Sequence, residues 1–146
     1  MINLELMAMP WSKSAQSLPE LDSIEECASA MNEEVVVLFK HSPTCPVSWM
    51  AHREVMQYRS AQPEIPMYLI SVRRRREVSR YIAEQTGIQH ESPQIIILQR
   101  GQVVATVSHD EVTADAISAF VGRNSGASIP DLGTIGAQDP LPPSGS

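Results

Sequence analysis

Apolar positions recur along this chain with two different spacings. In DSIEECASAMN, residues 22–32, Ile24, Cys27, Ala28 and Met31 fall at i, i+3, i+4 and i+7, which predicts one apolar face of an α-helix. Ser23 and Glu26 ahead of it have the spacing of a capping box, where hydroxyl and carboxylate each satisfy a helix N–H that lacks an internal partner. VVVLFK, residues 35–40, is instead a continuous run rich in β-branched residues, the pattern of a strand buried on both faces. Pro46 suits the first position of a following helix, because its missing N–H would be unpaired there. That helix is expected to run to about residue 60, with Val47, Met50, Val55 and Met56 inward. IPMYLISV, residues 65–72, reads as a second strand. REVSRYIAEQTG, residues 76–87, places Val78, Tyr81 and Ile82 on one side of a helix that stops at Gly87. QIIILQ, residues 94–99, is a third strand, and Gly101 turns the chain into a fourth, QVVATVS, residues 102–108. SHDEVTADAISAFVG, residues 108–122, reads as one last helix, with Ser108 or Asp110 as N-cap and Gly122 as its stop.

Alternating helices and strands that end in a hairpin predict an α/β sheet covered by helices. A thioredoxin-like fold has this order, with a central mixed sheet of about four strands and a helix starting directly after the central one. The expected domain spans residues 20–123. Residues 1–19 read as an N-terminal arm that could add a short edge strand. Residues 124–146 are rich in Gly, Pro and Ser and have no aromatic, Lys or Arg. Such a segment cannot bury enough apolar surface to offset its ordering entropy, so a disordered tail is expected.

Charge narrows the partners. The net charge of −6 gives no reason to expect nucleic acid or an anionic membrane as partner. No apolar run approaches the roughly 20 residues that span a bilayer. The first basic residue is Lys13, so no basic segment precedes an apolar one in the manner of a secretory signal, and a cytoplasmic protein is expected. With only Cys27 and Cys45, disulfides do not organise the fold.

Cys45 lies between a turn-rich segment and the helix that Pro46 opens. A free cysteine has a pKa of about 8.5, and the thiolate is the reactive form. The unpaired N–H groups and partial positive charge of a helix N-terminus favour an anion, so this setting favours the thiolate. Lys40 and His41 are expected to add positive potential. Cys27 lies on the inward face of the first helix and is expected to be a core residue. The four histidines and two cysteines show no metal-type spacing. Arg73–Arg76 form the one dense basic run, read as a solvated turn or as a contact for an anionic thiol or an acidic client.

The phrases FKHSPTCPVS, GIQHESPQIIIL and VSHDEVTADAI, in this order, resemble the monothiol bacilliredoxins, thioredoxin-fold proteins of the bacillithiol system. The resemblance covers most of residues 20–122, and HESPQ is its most specific phrase. It implies that Cys45 is the nucleophile, beside Thr44 and Pro46. Ser48 would occupy the position of a resolving cysteine and could donate a hydrogen bond to the thiolate. Pro93, after Ser92, would be a cis-proline facing the cysteine, and Ser92 would pair with substrate. Ser108 and His109 would lie near the anionic part of the thiol cosubstrate. The implied activity is removal of bacillithiol from protein mixed disulfides. Bacillithiol would be a cosubstrate rather than a tightly bound cofactor, and bacillithiolated client proteins would be the partners. Two other readings stay open: a non-catalytic thioredoxin-fold adaptor, and a glutaredoxin-like enzyme using another low-molecular-weight thiol.

Overall fold

A computed structural model of the chain describes residues 17–124, with side chains as far as Gly122. The expected arm before Ser17 and the expected tail beyond Asn124 lie outside the described residues.

Four strands form one mixed sheet, β1 (Val35–His41), β2 (Met67–Ser71), β3 (Gln94–Gln99) and β4 (Gln102–Ser108), in the spatial order β2-β1-β3-β4. β1 pairs in parallel with β2 and antiparallel with β3, and β3 pairs antiparallel with β4. Every residue of β1 is buried, as its unbroken apolar run predicts for a central strand. The β3–β4 loop is two residues long, Arg100 and Gly101, at φ 51° and 83°. Positive φ at both positions lets the turn follow the twist of its strands, and glycine adopts it without strain. A register shift at Ile97/Leu98 leaves Val104 as the extra residue of a bulge.

The helices are α1 (Ile24–Met31), α2 (Pro46–Ala61), α3 (Arg76–Thr86) and α4 (Ala114–Asn124), with a 3₁₀ turn over His109–Glu111. Alternation along the strands divides the interior in two. On one face Val35, Val37 and Phe39 pack with Ala51, Val55 and Tyr58 of α2 and Ile117 and Val121 of α4. On the other, Val36 and Leu38 pack with Cys27 and Met31 of α1 and Val78 and Ile82 of α3. The preceding segment is part of the domain. Leu18 and Leu21 are buried, Glu20 forms a parallel bridge to Leu69, and Arg74 and Arg75 pair with Glu20 and Asp22. Half of the basic run therefore ties this segment to the sheet edge. Among the described residues no helix is long and apolar enough to cross a membrane.

Four expectations about helices are corrected. In α1 the buried set is Cys27, Ala30 and Met31, whereas Ile24 is exposed and Ala28 half-buried. In α2 the buried row is Ser48, Ala51, Val55 and Tyr58, while Val47 and Met50 are 38% and 64% exposed. Apolar residues encircle this helix, so their spacing alone does not choose a face. The small Ser48 turns inward because its hydroxyl has a partner there. The last helix does not begin at Ser108 or Asp110. Ser108 ends β4 opposite Gln94, and the helix starts at Ala114 behind Thr113. The Thr113 hydroxyl accepts from the Ala116 N–H at 3.1 Å, and the Glu54 carboxylate accepts from the Ala114 N–H at 2.9 Å. Gly122 does not end the helix, which continues to Asn124.

Candidate functional site

β1 ends at His41, and the chain turns through Ser42–Thr44 to place Cys45 at the N-cap of α2. The turn is closed by the Cys45 N–H, which donates to the Ser42 carbonyl at 3.2 Å. The Trp49 N–H donates back to the Cys45 carbonyl at 3.2 Å, the first turn of the helix. An N-cap side chain is held beside the free N–H groups of that turn. Cys45 has extended backbone there, its side chain makes no cap hydrogen bond, and the first turn carries no acidic residue to oppose a thiolate. The residue is partly exposed. Thr44 is on the surface, with Oγ1 3.3 Å from Ser42 Oγ.

Ser48 is fully buried, and its hydroxyl accepts from the Ser42 N–H at 3.0 Å. The expected bond to the Cys45 sulfur is not present among the described residues. Ser48 fixes the loop that presents the cysteine, one step removed from the sulfur.

Neither Lys40 nor His41 adds charge beside Cys45, which corrects the expectation drawn from their proximity in sequence. The side chain of Lys40 points to the opposite face of the sheet, where Nζ donates to the Ser79 carbonyl at 3.1 Å. His41 is buried below Trp49, with ring centroids 4.6 Å apart and edge-on geometry. Burial pushes its imidazole from 6.5 down to about 4, and repulsion from His52 adds to this. The Ser48 main chain opposes the shift weakly, lying near the ring without reaching hydrogen-bond geometry. The ring is therefore neutral at pH 7, and the α2 N-terminus is left as the source of positive potential.

Trp49 and His52 were not singled out by sequence reasoning. Trp49 folds over the loop, donating from Nε1 to the Pro43 carbonyl at 2.8 Å, and stays 46% exposed. The available signal was its i+4 spacing from Cys45, which puts both on one side of a helix start. Val47 and Met50, on the same first turns of α2, are exposed as well.

The Ser92–Pro93 peptide bond is cis. β3 starts at Gln94, which pairs with Lys40, so Pro93 flanks the same sheet edge as the loop after His41. Ser92 is half-buried, and its buried Oγ has no partner. His109, at φ 57°, donates its N–H to the Pro93 carbonyl at 2.9 Å, and its Nε2 lies 3.2 Å from Glu91 Oε1. The structure thus joins His109 to the 91–93 loop and places Ser108 and His109 at the start of the 3₁₀ turn rather than of α4. The other thiol is remote in topology. Cys27 is fully buried in the core on the far face of the sheet, its sulfur 3.7 Å from Met31 Sδ. Burial raises that thiol to about 11, the nearby Lys40 ammonium opposing only in part.

One partly exposed thiol at a helix N-cap, beside a cis-proline loop and without a second accessible cysteine, is an arrangement for monothiol exchange. Comparison with known proteins agrees. A structure at 27% identity and TM-score 0.66, covering 69% of this chain and 90% of the other, is of a thioredoxin-fold protein described provisionally as an oxidoreductase. Mitochondrial thioredoxin 3 of Saccharomyces cerevisiae, in its oxidized form, matches at 13% identity and TM-score 0.59, over 73% of this chain and 94% of its own. Thioredoxin f2 of Chlamydomonas reinhardtii matches at 12% identity and TM-score 0.60, over 77% of this chain and all of its own. The last two speak for the fold alone. The family described as Monothiol bacilliredoxin BrxC matches residues 16–117 and supports a thiol redox role. This chain, with its thioredoxin fold, belongs to the monothiol bacilliredoxin family.

Proposed function

We propose that the protein is a monothiol thiol–disulfide oxidoreductase that removes bacillithiol from client proteins through Cys45. The observation that carries this reading is the placement of Cys45 as the only partly exposed thiol among the described residues, at the N-cap of α2. The Cys45 thiolate attacks the bacillithiol sulfur of a client mixed disulfide. A Cys45–bacillithiol bond forms as the client–bacillithiol bond breaks, and the client thiolate leaves and takes up a proton. A dithiol enzyme would resolve this adduct from a cysteine three residues on, but Ser48 stands there and is committed to Ser42. The resolving thiolate, from a second bacillithiol or from another reductase, attacks the bacillithiol sulfur of the adduct; with bacillithiol, a bacillithiol disulfide bond forms as the Cys45–bacillithiol bond breaks and the Cys45 thiolate leaves. The rate of each step depends on the attacking thiolate and on the leaving thiol.

The test is to incubate the reduced protein with client mixed disulfides of bacillithiol, glutathione, cysteine and coenzyme A. Intact-mass and peptide spectrometry then follow the adduct. The reading expects the bacillithiol adduct to form fastest, on Cys45. Faster transfer from another thiol would reassign the cosubstrate. The absence of any Cys45 adduct would leave an adaptor role instead.

A further inference from the structure

A second polar cluster lies on the face of the sheet opposite α2. Lys40 is fully buried there, its Nζ donating to the Ser79 carbonyl at 3.1 Å and to His90 Nδ1 at 3.3 Å. An ammonium only donates, so His90 Nδ1 is the unprotonated nitrogen and Nε2 carries the hydrogen. Ser79 Oγ lies 3.2 Å from the same Nδ1. Burial lowers Lys40 from 10.5 to about 8, so it remains mainly charged at neutral pH. A buried cation normally has a paired anion. Among the described residues no carboxylate pairs with Lys40, nor with Arg76 or Arg80 close by.

Beside this cluster is a cavity of about 380 Å³, lined by Val72, Arg76, Ser79, Arg80, Ala83 and His90 but not by Lys40 itself. Its lining holds no acidic residue. Arg76 and Arg80 are one helical turn apart on α3, and both line the cavity. His90 forms the other wall, and Lys40 stands directly behind Ser79 and His90. Two of its lining residues, Val72 and His90, connect to the end of the sheet from which the Cys45 loop leaves. The Val72 N–H donates to the His41 carbonyl at 3.1 Å, and the chain from His90 leads into Pro93. Positive charge without a protein counter-ion, arranged beside a cavity that connects to that end of the sheet, calls for an anionic ligand. Guanidinium groups suit carboxylates because their paired N–H groups match the two oxygens.

We propose that the cavity between α3 and the 88–93 loop binds the carboxylate end of the low-molecular-weight thiol whose sulfur is exchanged at Cys45. This rests on the function proposed above, since it assigns the binding site of that reaction's cosubstrate. It makes Arg76 and Arg80 specificity residues that favour an anionic carrier over a neutral one.

The experiment compares the full-length protein with its Arg76→Gln/Arg80→Gln variant. Both arginines are exposed, so the variant keeps the fold, which its thermal unfolding checks. Each protein is reacted with bacillithiol disulfide, which carries carboxylates, and with 2-hydroxyethyl disulfide, which carries none. The Cys45 thiolate attacks either disulfide, forming Cys45–S–S–R and releasing one RS⁻. The readout is the ratio of the two rates of adduct formation. The ratio is expected to fall about tenfold in the variant, as two charge-assisted contacts are lost at a partly solvated site. Added salt should lower it in the wild type and hardly in the variant. An equal ratio in the two proteins would overturn the carboxylate site and leave the monothiol reaction standing. Failure of wild-type Cys45 to react with either disulfide would overturn both.

Discussion

Two cysteines in one small domain have opposite fates because of where the chain puts them. Cys45 is at a helix start and partly exposed, whereas Cys27 has no exposed surface and a thiol held near 11. Treatment of the native protein with iodoacetamide is therefore expected to label one thiol, Cys45, with Cys27 reacting only after denaturation. Rapid labelling of both would show that α1 opens readily. His41 gives a second residue-level prediction. Its ring is neutral in the fold, with a folded value of about 4 against 6.5 when unfolded. Between those values the unfolded chain binds more protons, so stability rises with pH there. It is fully present above about 6.5 and is lost as pH falls towards about 4. The loss amounts to ~3 kcal/mol at most. Burial also lowers His52 and His90, which act with the same sign. Denaturant unfolding across this window should show a shallower pH dependence for His41→Phe than for the wild type. An identical slope would contradict the buried neutral ring.

At the scale of elements, the two central strands are legible because their runs leave no choice of face. VVVLFK and QIIILQ are buried on both sides, so no periodicity had to be resolved. The helices divide by how polar their outer faces are. In α3, Val78 and Ile82 are separated from the solvent by Arg, Glu and Gln, and the inward side could be read directly. In α2, Val47, Trp49 and Met50 compete with Val55 and Tyr58, and the decision falls to Ser48 and Ser42, a contact the sequence does not announce. Urea unfolding tests this face. Met50→Ser should change stability by no more than about 0.5 kcal/mol. Val55→Ala, which deletes buried methyl groups, should cost about 2 kcal/mol. The reverse order would put the helix in the wrong rotation. The start of the last helix is ambiguous in the sequence because Ser108, Asp110 and Thr113 are all good N-caps. Pairing of Ser108 with Gln94 extends β4 and leaves the cap to Thr113.

Across the whole molecule, the sheet separates a redox edge from two cores with different contents. The α2–α4 side is an apolar core topped by Phe39, His41, Trp49 and His52. The α1–α3 side buries an ammonium, and no carboxylate offsets it among the described residues. The family's phrases in the sequence located Cys45 and the proline of HESPQ. They did not show that Lys40 turns away from the cysteine, as alternation sends it to the face opposite Phe39, because its closeness in sequence to Cys45 suggested a shared site. Replacing a buried charge by an apolar chain of similar volume relieves its desolvation. Lys40→Met is accordingly expected to raise stability at pH 7 by about 1 kcal/mol. A loss of that size in chemical denaturation would mean that the Ser79 and His90 bonds outweigh the cost of burying the charge. The central claim is that one thiol acts and that its resolving partner comes from solution. The most direct measurement is to isolate the Cys45–bacillithiol adduct of the wild type and of Cys27→Ala, add free bacillithiol, and follow the products by intact mass. The account predicts that both proteins return to the free thiol at the same rate with release of bacillithiol disulfide. Appearance of a Cys27–Cys45 disulfide in the wild type, with stalled release in the variant, would contradict it.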